Sequence, residues 1–450
     1  MQASPFKLRT LSAALIAGWM SLVAGPVGAQ DSGPAIVITP GESRAFHAAV
    51  QLFSDSGFPA EPQRARGLRE EIEAGMEFSG VLLPLGHDAF LGAEQTKSLV
   101  TEARREDCAD WTQGGADALV EGVIGGSETE LVVEYQVWDT ARCRSLARGQ
   151  LKRVHSDRVR LAKLLADEVV AAFTGTPGVA GTEIAFVSNR GGEREIYVMD
   201  ADGGRQRRAT RGNSIKSFPD WTPDGGAVLY TSYGDRVVPG LYLTSRGAYR
   251  PGPILTGILP KQPKYRGVFD PKGGTLAMVS SLGGSTAIYR VDRDGGNLRR
   301  LTQGGSINIS PSWSPDGEWI VFVSDRSGSP QLYIMGSDGQ NLRRLTYNGS
   351  YNTGPEWSPD GRWIVYETRI HGQFDLWLID PSGEINLPIV SHPRSDESGS
   401  WSPDSRKVVF SSTRRGRPDL YVVDLNGKNL RRLTRMQGEN LQPAWGPFAR

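Results

Sequence analysis

The side chains that most often carry out catalysis or bind metals are sparse in this 450-residue chain. The five histidines, at positions 47, 87, 155, 371 and 392, form no H-x-x-x-H or H-x-E spacing. The sequence contains no G-x-S-x-G nucleophile elbow, no phosphate-binding loop and no dinucleotide fingerprint. We therefore expect no catalytic residue, no metal site and no cofactor.

One acidic segment deserves comparison with a calcium loop. Asp200-Ala201-Asp202-Gly203 has the alternating aspartates with which such loops begin, but Arg211 stands at the twelfth position in place of the bidentate glutamate. A tight hairpin turn explains the same residues without a metal. We expect the turn.

A second set of polar residues precedes a recurring Pro-x-Trp motif. Its members are Lys216, Ser217, Asn308, Asn352, Thr353, Asp396, Glu397 and Asn440. Asparagine and serine also form turns, so each single residue has that simpler interpretation. The repetition at matching positions favours a binding surface, provided that the fold brings these residues together.

The elements that position this set form a repeat of about 44 residues. Segments such as Pro311-Ser312-Trp313-Ser314-Pro315-Asp316-Gly317 recur, with their aromatic residue at positions 221, 269, 313, 357, 401 and 445. Each complete copy continues with short β-branched and aromatic runs, which turns such as Pro-Asp-Gly and Asp-Gly separate. Glycine supplies the positive φ that tight turns need. Four short strands per repeat predict a blade of a β-propeller.

Six blades are obtained only if the ring closes through the chain terminus. The strands 183–187 and 196–199 have no Trp-Pro motif before them, and Trp445 has no strands after it. Joining these fragments completes the sixth blade, whereas an open or seven-bladed array is the alternative. The loops that lead into the innermost strands then converge on the mouth of the central channel. We expect the polar set to expose its side chains there.

Two other features of the repeat have a structural and a functional interpretation. The tryptophans could form a ligand platform, but a large aromatic residue at one place in every blade is better explained by packing between blades. Paired arginines recur at 207–208, 299–300, 343–344 and 431–432, on the predicted outermost strands. A basic patch for nucleic acid or lipid is conceivable, but charges that protect edge strands are the simpler interpretation.

Residues before the repeat predict a small α/β domain. Runs at 35–38, 118–124 and 131–138 are typical of strands. Residues 157–173 predict a helix because Leu161, Leu165 and Val169 share one face and Gly175 ends it. We therefore predict a domain over residues 30–174, a Gly/Pro-containing linker over 175–182 and the propeller over 183–450.

The first 29 residues have the pattern of a secretory signal peptide. A basic start is followed by the apolar stretch 11–24 and the small-x-small site Val27-Gly28-Ala29. The alternative is that this segment stays uncleaved and anchors the protein in a membrane. No later segment is apolar over a length that approaches a membrane span. Export permits a disulfide between Cys108 and Cys143, although two unpaired thiols fit the sequence equally well.

Composition narrows the class of partner. With 51 basic and 50 acidic residues, the net charge is +1, which argues against a nucleic-acid binder. Fifty-five glycines and 28 prolines indicate a turn-rich rather than a disordered chain.

Several segments resemble the TolB family of propeller proteins, which are periplasmic components of the Tol–Pal system. The Trp-Ser-Pro-Asp-Gly repeats are one such segment, and the others lie before the propeller. These are Phe78-Ser79-Gly80, the glycine-rich run 114–122, Ala166-Asp167-Glu168-Val169, Phe173-Thr174-Gly175 and the strand 183–188. The resemblance covers residues 35–450.

The resemblance implies a periplasmic adaptor that is not an enzyme. It would bind the lipoprotein Pal through the channel mouth and TolA through the N-terminal region, with other envelope proteins as further candidates. Such an adaptor supports outer-membrane integrity and cell division. The alternative is a secreted propeller enzyme, a lyase or peptidase, with its active site in the channel. A hydrolase assay and a pull-down from envelope extract would distinguish the two.

Overall fold

The structure, a computed structural model, describes residues 45–448 apart from gaps at 56–61, 92–93, 97–98, 100–104, 234–237, 246–251, 259–261, 283 and 371. The predicted signal peptide and the strand predicted at 35–38 lie outside the described residues. None of the described helices is both long and apolar enough to cross a membrane.

The N-terminal domain is a mixed sheet with helices on both faces. Its elements are β1 (Phe46–Val50), β2 (Ser54–Asp55), α1 (Pro62–Ser79), β3 (Leu82–Pro84), α2 (Arg105–Gln113), β4 (Ala118–Gly126), β5 (Glu130–Asp139), β6 (Arg144–Val154) and α3 (Arg158–Thr174), with short 3-10 turns at His87–Ala89 and His155–Asp157. The strands lie in the order β3-β1-β4-β5-β6, and β2 also pairs with β4. The predicted strand pair is β4 and β5, and the predicted helix is α3, which ends at Gly175 with a φ of 73°.

Alternation along the strands divides the core of this domain between the two faces. Val120 and Val137 pack with α1 and α3 on one side of the sheet. Their neighbours Leu119 and Trp138 pack with Trp111 of α2 on the other side. A disulfide joins Cys108 of α2 to Cys143, which lies between β5 and β6. The structure thus favours the bridged form of the two alternatives for these cysteines.

Six four-stranded antiparallel sheets follow, one for each predicted blade. From the innermost strand outward, blade 1 comprises β30 (Asn440–Trp445), β7 (Glu183–Ser188), β8 (Glu195–Asp200) and β9 (Arg207–Arg208); blade 2 comprises β10 (Lys216–Trp221), β11 (Ala227–Ser232), β12 (Gly240–Ser245) and β13 (Gly252–Pro253); and blade 3 comprises β14 (Tyr265–Phe269), β15 (Thr275–Ser280), β16 (Ala287–Asp292) and β17 (Arg299–Arg300). Blade 4 comprises β18 (Asn308–Trp313), β19 (Trp319–Ser324), β20 (Gln331–Gly336) and β21 (Arg343–Arg344); blade 5 comprises β22 (Asn352–Trp357), β23 (Ile364–Ile370), β24 (Gln373–Ile379) and β25 (Asn386–Val390); and blade 6 comprises β26 (Asp396–Trp401), β27 (Lys407–Ser412), β28 (Asp419–Asp424) and β29 (Arg431–Arg432).

The ring closes through the C-terminal strand, as predicted. β30 pairs antiparallel with β7, so that Asn440 faces Ser188 and Trp445 faces Ile184. Blade 1 therefore takes its innermost strand from the far end of the chain, which leaves no inner strand edge open in the ring.

The repeated tryptophans join neighbouring blades. All five are buried, with exposed fractions of 3–8%. The indole N–H of Trp221 donates to the Ala444 carbonyl at 3.1 Å, and that of Trp401 donates to the Glu356 carbonyl at 3.0 Å. Both acceptors belong to the inner strand of the preceding blade, so the packing interpretation is confirmed. The four arginine pairs form outermost strands, where the sequence placed them.

The segment predicted as a linker packs against α3 over most of its length. Gly175 and Pro177 are exposed, but residues 178–182 are buried. The Asp167 carboxylate accepts hydrogen bonds from the backbone N–H groups of Ala180 and Gly181 at 2.7 and 2.8 Å. The sequence composition suggested flexibility here, whereas these contacts fix the second half of the segment.

An ion cluster connects the two domains beside this segment. Lys163 of α3 donates to Asp200 at 2.7 Å and to Asp202 at 2.6 Å. These aspartates belong to the segment that resembled a calcium loop. It forms a hairpin turn, in which the Gly203 N–H donates to the Asp200 carbonyl, and its charges are neutralised by Lys163 and Arg205.

Candidate functional site

The six innermost strands surround a central channel, and each is interrupted at the same position. The pairing register with the second strand shifts in every blade, for example between Ile309 and Ser312. At each shift one residue adopts a positive φ of 48–57°. These residues are Phe218, Arg266, Ser310, Gly354, Ser398 and Gln442. Five of them are not glycine, and such strained positions concentrate at functional sites because a bulge redirects a side chain.

Contacts between neighbouring blades hold this ring of bulges. The guanidinium group of Arg266 lies 4.2 Å from the centre of the Phe218 ring and donates to the Ser310 hydroxyl. The Gln442 side-chain oxygen accepts the Phe218 N–H at 2.9 Å. Each contact crosses a blade boundary, so the ring depends on correct closure of the propeller.

Three carboxyl groups line the same channel. Burial raises the pKa of Glu356 to about 8, although its carboxylate accepts hydrogen bonds from Trp401 and Ser400. The pKa values of Asp220 and Glu367 rise to about 7, also because of burial. The charge of Asp220 contributes to the upward shift at Glu356. These carboxyl groups therefore titrate near neutral pH.

The channel encloses a cavity of about 280 Å³, which the bulge residues and the three carboxyl groups line. It offers carboxyl, guanidinium and hydroxyl groups together with proline rings to a ligand. In the part of the chain that the structure describes, no group of three or more His, Cys, Asp or Glu side chains is arranged to hold a metal ion.

Five residues of the predicted polar set begin an inner strand at the channel mouth, but they do not expose their side chains. Lys216, Asn308, Asn352, Asp396 and Asn440 are each at most 3% exposed. The prediction that they are exposed is wrong for these five, because side chains of adjacent strands and loops form hydrogen bonds with their polar atoms. Asp396 accepts from Arg414 at 2.9 Å, and Asn308 accepts from Arg326 at 2.8 Å.

The same pattern holds where the partner lies in an adjacent blade. Lys216 donates to Glu195 at 3.1 Å, and Asn352 donates to Gln331 at 2.8 Å. The five side chains thus anchor the loops at the channel mouth. The other three predicted residues, Ser217, Thr353 and Glu397, follow directly along their strands and are half-buried. Burial also raises the pKa of Glu397.

Sequence reasoning missed a group of exposed apolar side chains at this end of the propeller. We call the end at which the inner strands begin the mouth face, and the opposite end, with the Ser-Pro-Asp-Gly turns, the turn face. The apolar rim of the mouth face comprises Ile215, Tyr233, Ile307, Tyr347, Tyr351 and Met436, which are 37–73% exposed. A pattern could have revealed it, because an apolar residue directly precedes the anchoring polar residue in three blades. A group of exposed apolar residues on one face marks an interaction surface.

Comparison with family models divides the chain as the structure does. Residues 34–146 match the model described as the TolB amino-terminal domain, and residues 262–449 match the one described as the TolB beta propeller domain.

Individual relatives agree with the family models. The Tol-Pal system protein TolB of Anaeromyxobacter dehalogenans strain 2CP-1 is 33% identical over 305 residues, which is 68% of each chain. The protein TolB homolog of Chlorobium chlorochromatii is 31% identical over 258 residues, or 56% of each chain.

Solved structures show the same fold. The crystal structure of TolB from Acinetobacter baumannii superposes with a TM-score of 0.74 at 23% identity, covering 90% of this chain and 98% of that one. Hydrazine synthase of Kuenenia stuttgartiensis superposes with a TM-score of 0.50 at 15% identity, covering 59% of this chain and 46% of that one. The propeller fold therefore occurs in enzymes as well, and function has to be argued from the whole chain.

Proposed function

Because the chain belongs to the TolB family, whose relatives carry the name of the Tol–Pal system, we propose that it is a periplasmic adaptor of that system and not an enzyme. The observation that carries this proposal is the pairing of the two domains. Propellers alone occur in many functional classes, but here a propeller follows a TolB amino-terminal domain in one chain.

The mouth face is the surface that we assign to the lipoprotein Pal. It combines the exposed apolar rim with half-buried polar side chains near the starts of the inner strands, which is the arrangement of an interface with an apolar contact area and a few polar anchors. Ser217, Thr353 and Glu397 are proposed as contact residues. Lys216, Asn308, Asn352, Asp396 and Asn440 are proposed to act indirectly, because they hold the mouth loops in place.

Calorimetry of the mature chain with the periplasmic domain of Pal from the same bacterium tests this assignment. Replacing Ile307 and Tyr347 by alanine should weaken binding by about thirtyfold or more, at roughly 1–2 kcal/mol for each of the two truncated contacts. Leu342→Ala is the matched control, since Leu342 is 44% exposed on the turn face. If the variant with both rim substitutions keeps native affinity for Pal and Leu342→Ala loses it, Pal binds the turn face.

TolA is assigned to the N-terminal region. Deletion of residues 30–34, which precede the strand predicted at 35–38, should abolish TolA binding in the same assay. Pal affinity and thermal stability should not change, because the deletion leaves every predicted and every described strand in place. An undiminished TolA affinity would contradict this assignment. In cells, loss of the protein should weaken the outer membrane and delay constriction during division.

A further inference from the structure

Charge is distributed unevenly over the propeller, and the excess of positive charge lies on the mouth face. Five loops of this face, at residues 189–194, 209–215, 391–395, 413–418 and 433–439, together contain eight arginines and two glutamates. These loops hold a net charge of +6. The propeller as a whole, residues 183–450, has 34 basic and 27 acidic residues and carries +7, so the loops account for nearly all of its positive charge.

Hydrogen bonds connect these loops into one continuous surface. The Thr413 N–H donates to the Ser395 carbonyl at 3.0 Å, and Arg417 donates to the Met436 carbonyl at 2.9 Å. Arg194 forms an ion pair with Glu439 at 3.2 Å, which ties the next two loops. The Lys216 N–H donates to the Arg194 carbonyl at 3.1 Å and completes the series.

Six arginines of these loops form a surface that we call the basic arc. They are Arg194, Arg211, Arg394, Arg415, Arg417 and Arg435. Five are exposed and Arg417 is partly exposed. Among the described residues, the side chains of Arg394, Arg415 and Arg435 have no ion pair with a carboxylate. Their charge therefore faces the solvent without compensation.

The arc adjoins the apolar rim, since Met436 follows Arg435 and Ile215 follows Arg211 closely along the chain. An arginine-rich border beside exposed tyrosine, isoleucine and methionine is the composition of a protein–protein interface. An anionic membrane would also satisfy the charges, but the half-buried polar side chains of Ser217, Thr353 and Glu397 offer hydrogen-bonding groups that a protein partner can use. We therefore take the partner to be a protein.

We infer that the partner bound at the mouth face presents an acidic patch to the basic arc, and that this charge match accelerates association. The inference rests on the proposed function, because it specifies the surface chemistry of the partner assigned there. Complementary charges at the border of an interface act mainly on the association rate and are screened by salt.

Stopped-flow association with the Pal periplasmic domain tests the inference. The rate constant of the native chain should fall about tenfold or more between roughly 20 mM and 500 mM salt, since the Debye length shortens well below the width of the arc. Arg415→Glu combined with Arg435→Glu should lower the rate about tenfold at low salt and remove most of the salt dependence. The dissociation rate should change less.

The matched control reverses two charges elsewhere. Lys272→Glu combined with Arg299→Glu changes exposed residues of blade 3 outside the arc, and it should leave the association rate close to native. If the arc variant associates as fast as the native chain at all salt concentrations, the inference is overturned and the proposed function stands.

Two other results would also overturn it. A native chain that does not bind Pal removes the proposed function together with the inference. The second result comes from a binding assay with vesicles rich in anionic lipid. If the vesicles bind the native chain and not the arc variant, while Pal binds both equally, the basic arc is a membrane-binding surface.

Discussion

Asp396 tests whether the buried polar residues at the channel mouth anchor loops. Its side chain is fully buried, and one carboxylate oxygen accepts a hydrogen bond from Arg414 at 2.9 Å. Arg414 also donates to the Ser412 hydroxyl and stacks 4.6 Å from the centre of the Tyr421 ring. Replacing Asp396 by alanine would leave the guanidinium group, whose side chain is only 11% exposed, without its anionic partner.

The expected cost follows from that geometry. Removing one partner of a buried ion pair costs about 3–5 kcal/mol, which would lower the melting temperature by roughly 6–20 °C in a domain of this size. Asp396→Asn should cost about 1 kcal/mol or less, because an amide oxygen can still accept the hydrogen bond. Two blades already use this arrangement, since Asn308 accepts from Arg326 and Asn440 accepts from Arg190, both at 2.8 Å.

Thermal and urea unfolding of the two variants, with Pal affinity measured on the same samples, would test this argument. The alanine variant should lose stability and part of its affinity together, whereas the asparagine variant should retain both. An alanine variant that melts within about 2 °C of the native chain would refute the anchoring role. Native stability with lost affinity in the asparagine variant would show that Asp396 contacts Pal directly.

Three further predictions concern ring closure, pH and the inter-domain segment. Deletion of residues 440–450 removes β30 and exposes the edge of β7, so the melting temperature should fall by well over 10 °C, and a fall of only a few degrees would contradict the closure. The raised pKa values of Glu356 (about 8), Asp220 and Glu367 (each about 7) mean that the folded state binds these protons more tightly than the unfolded state. Their contribution to the free energy of unfolding is therefore complete below about pH 4 and is lost as the pH rises to about 8. Urea unfolding at a series of pH values should show this decline, and Glu356→Gln should make it shallower. An unchanged slope of stability against pH in that variant would count against a buried carboxyl group at this position. Limited proteolysis should cut at residues 175–177, of which Gly175 and Pro177 are exposed, before it cuts at 178–182. Asp167→Ala removes the acceptor for two backbone N–H groups and should make the second stretch accessible to the protease. Equal cleavage of both stretches in the native chain would show that the contacts of Asp167 do not fix the segment.

The propeller could be predicted because its turns and its inter-blade contacts leave marks in every repeat. The spacing of Trp313, Trp357 and Trp401 predicted the length of a blade. The motif at Trp445, which has no strands after it, predicted that the C-terminal strand closes the ring. The N-terminal domain has no such repetition. Its helix α1 was missed because Leu68, Ile72 and Met76 form a narrow apolar stripe among many charged residues.

The candidate site could be located but not described in detail. The sequence placed polar residues at the start of the inner strands, and the structure places them there. The direction of a side chain depends on strand register, and the bulge at residues such as Ser310 shifts that register in every blade. Alternation along the sequence therefore could not show that Asn308 is buried or that Arg266 faces the channel.

The assignment of the mouth face to Pal is tested most directly by site-specific photo-crosslinking in living cells. A photoreactive residue at Tyr347 or Tyr351, in the apolar rim, should form a covalent adduct with Pal. The same residue at Leu342 or Ile385, which are exposed on the turn face, should not. Adducts with Pal from the turn face and none from the mouth face would contradict the account.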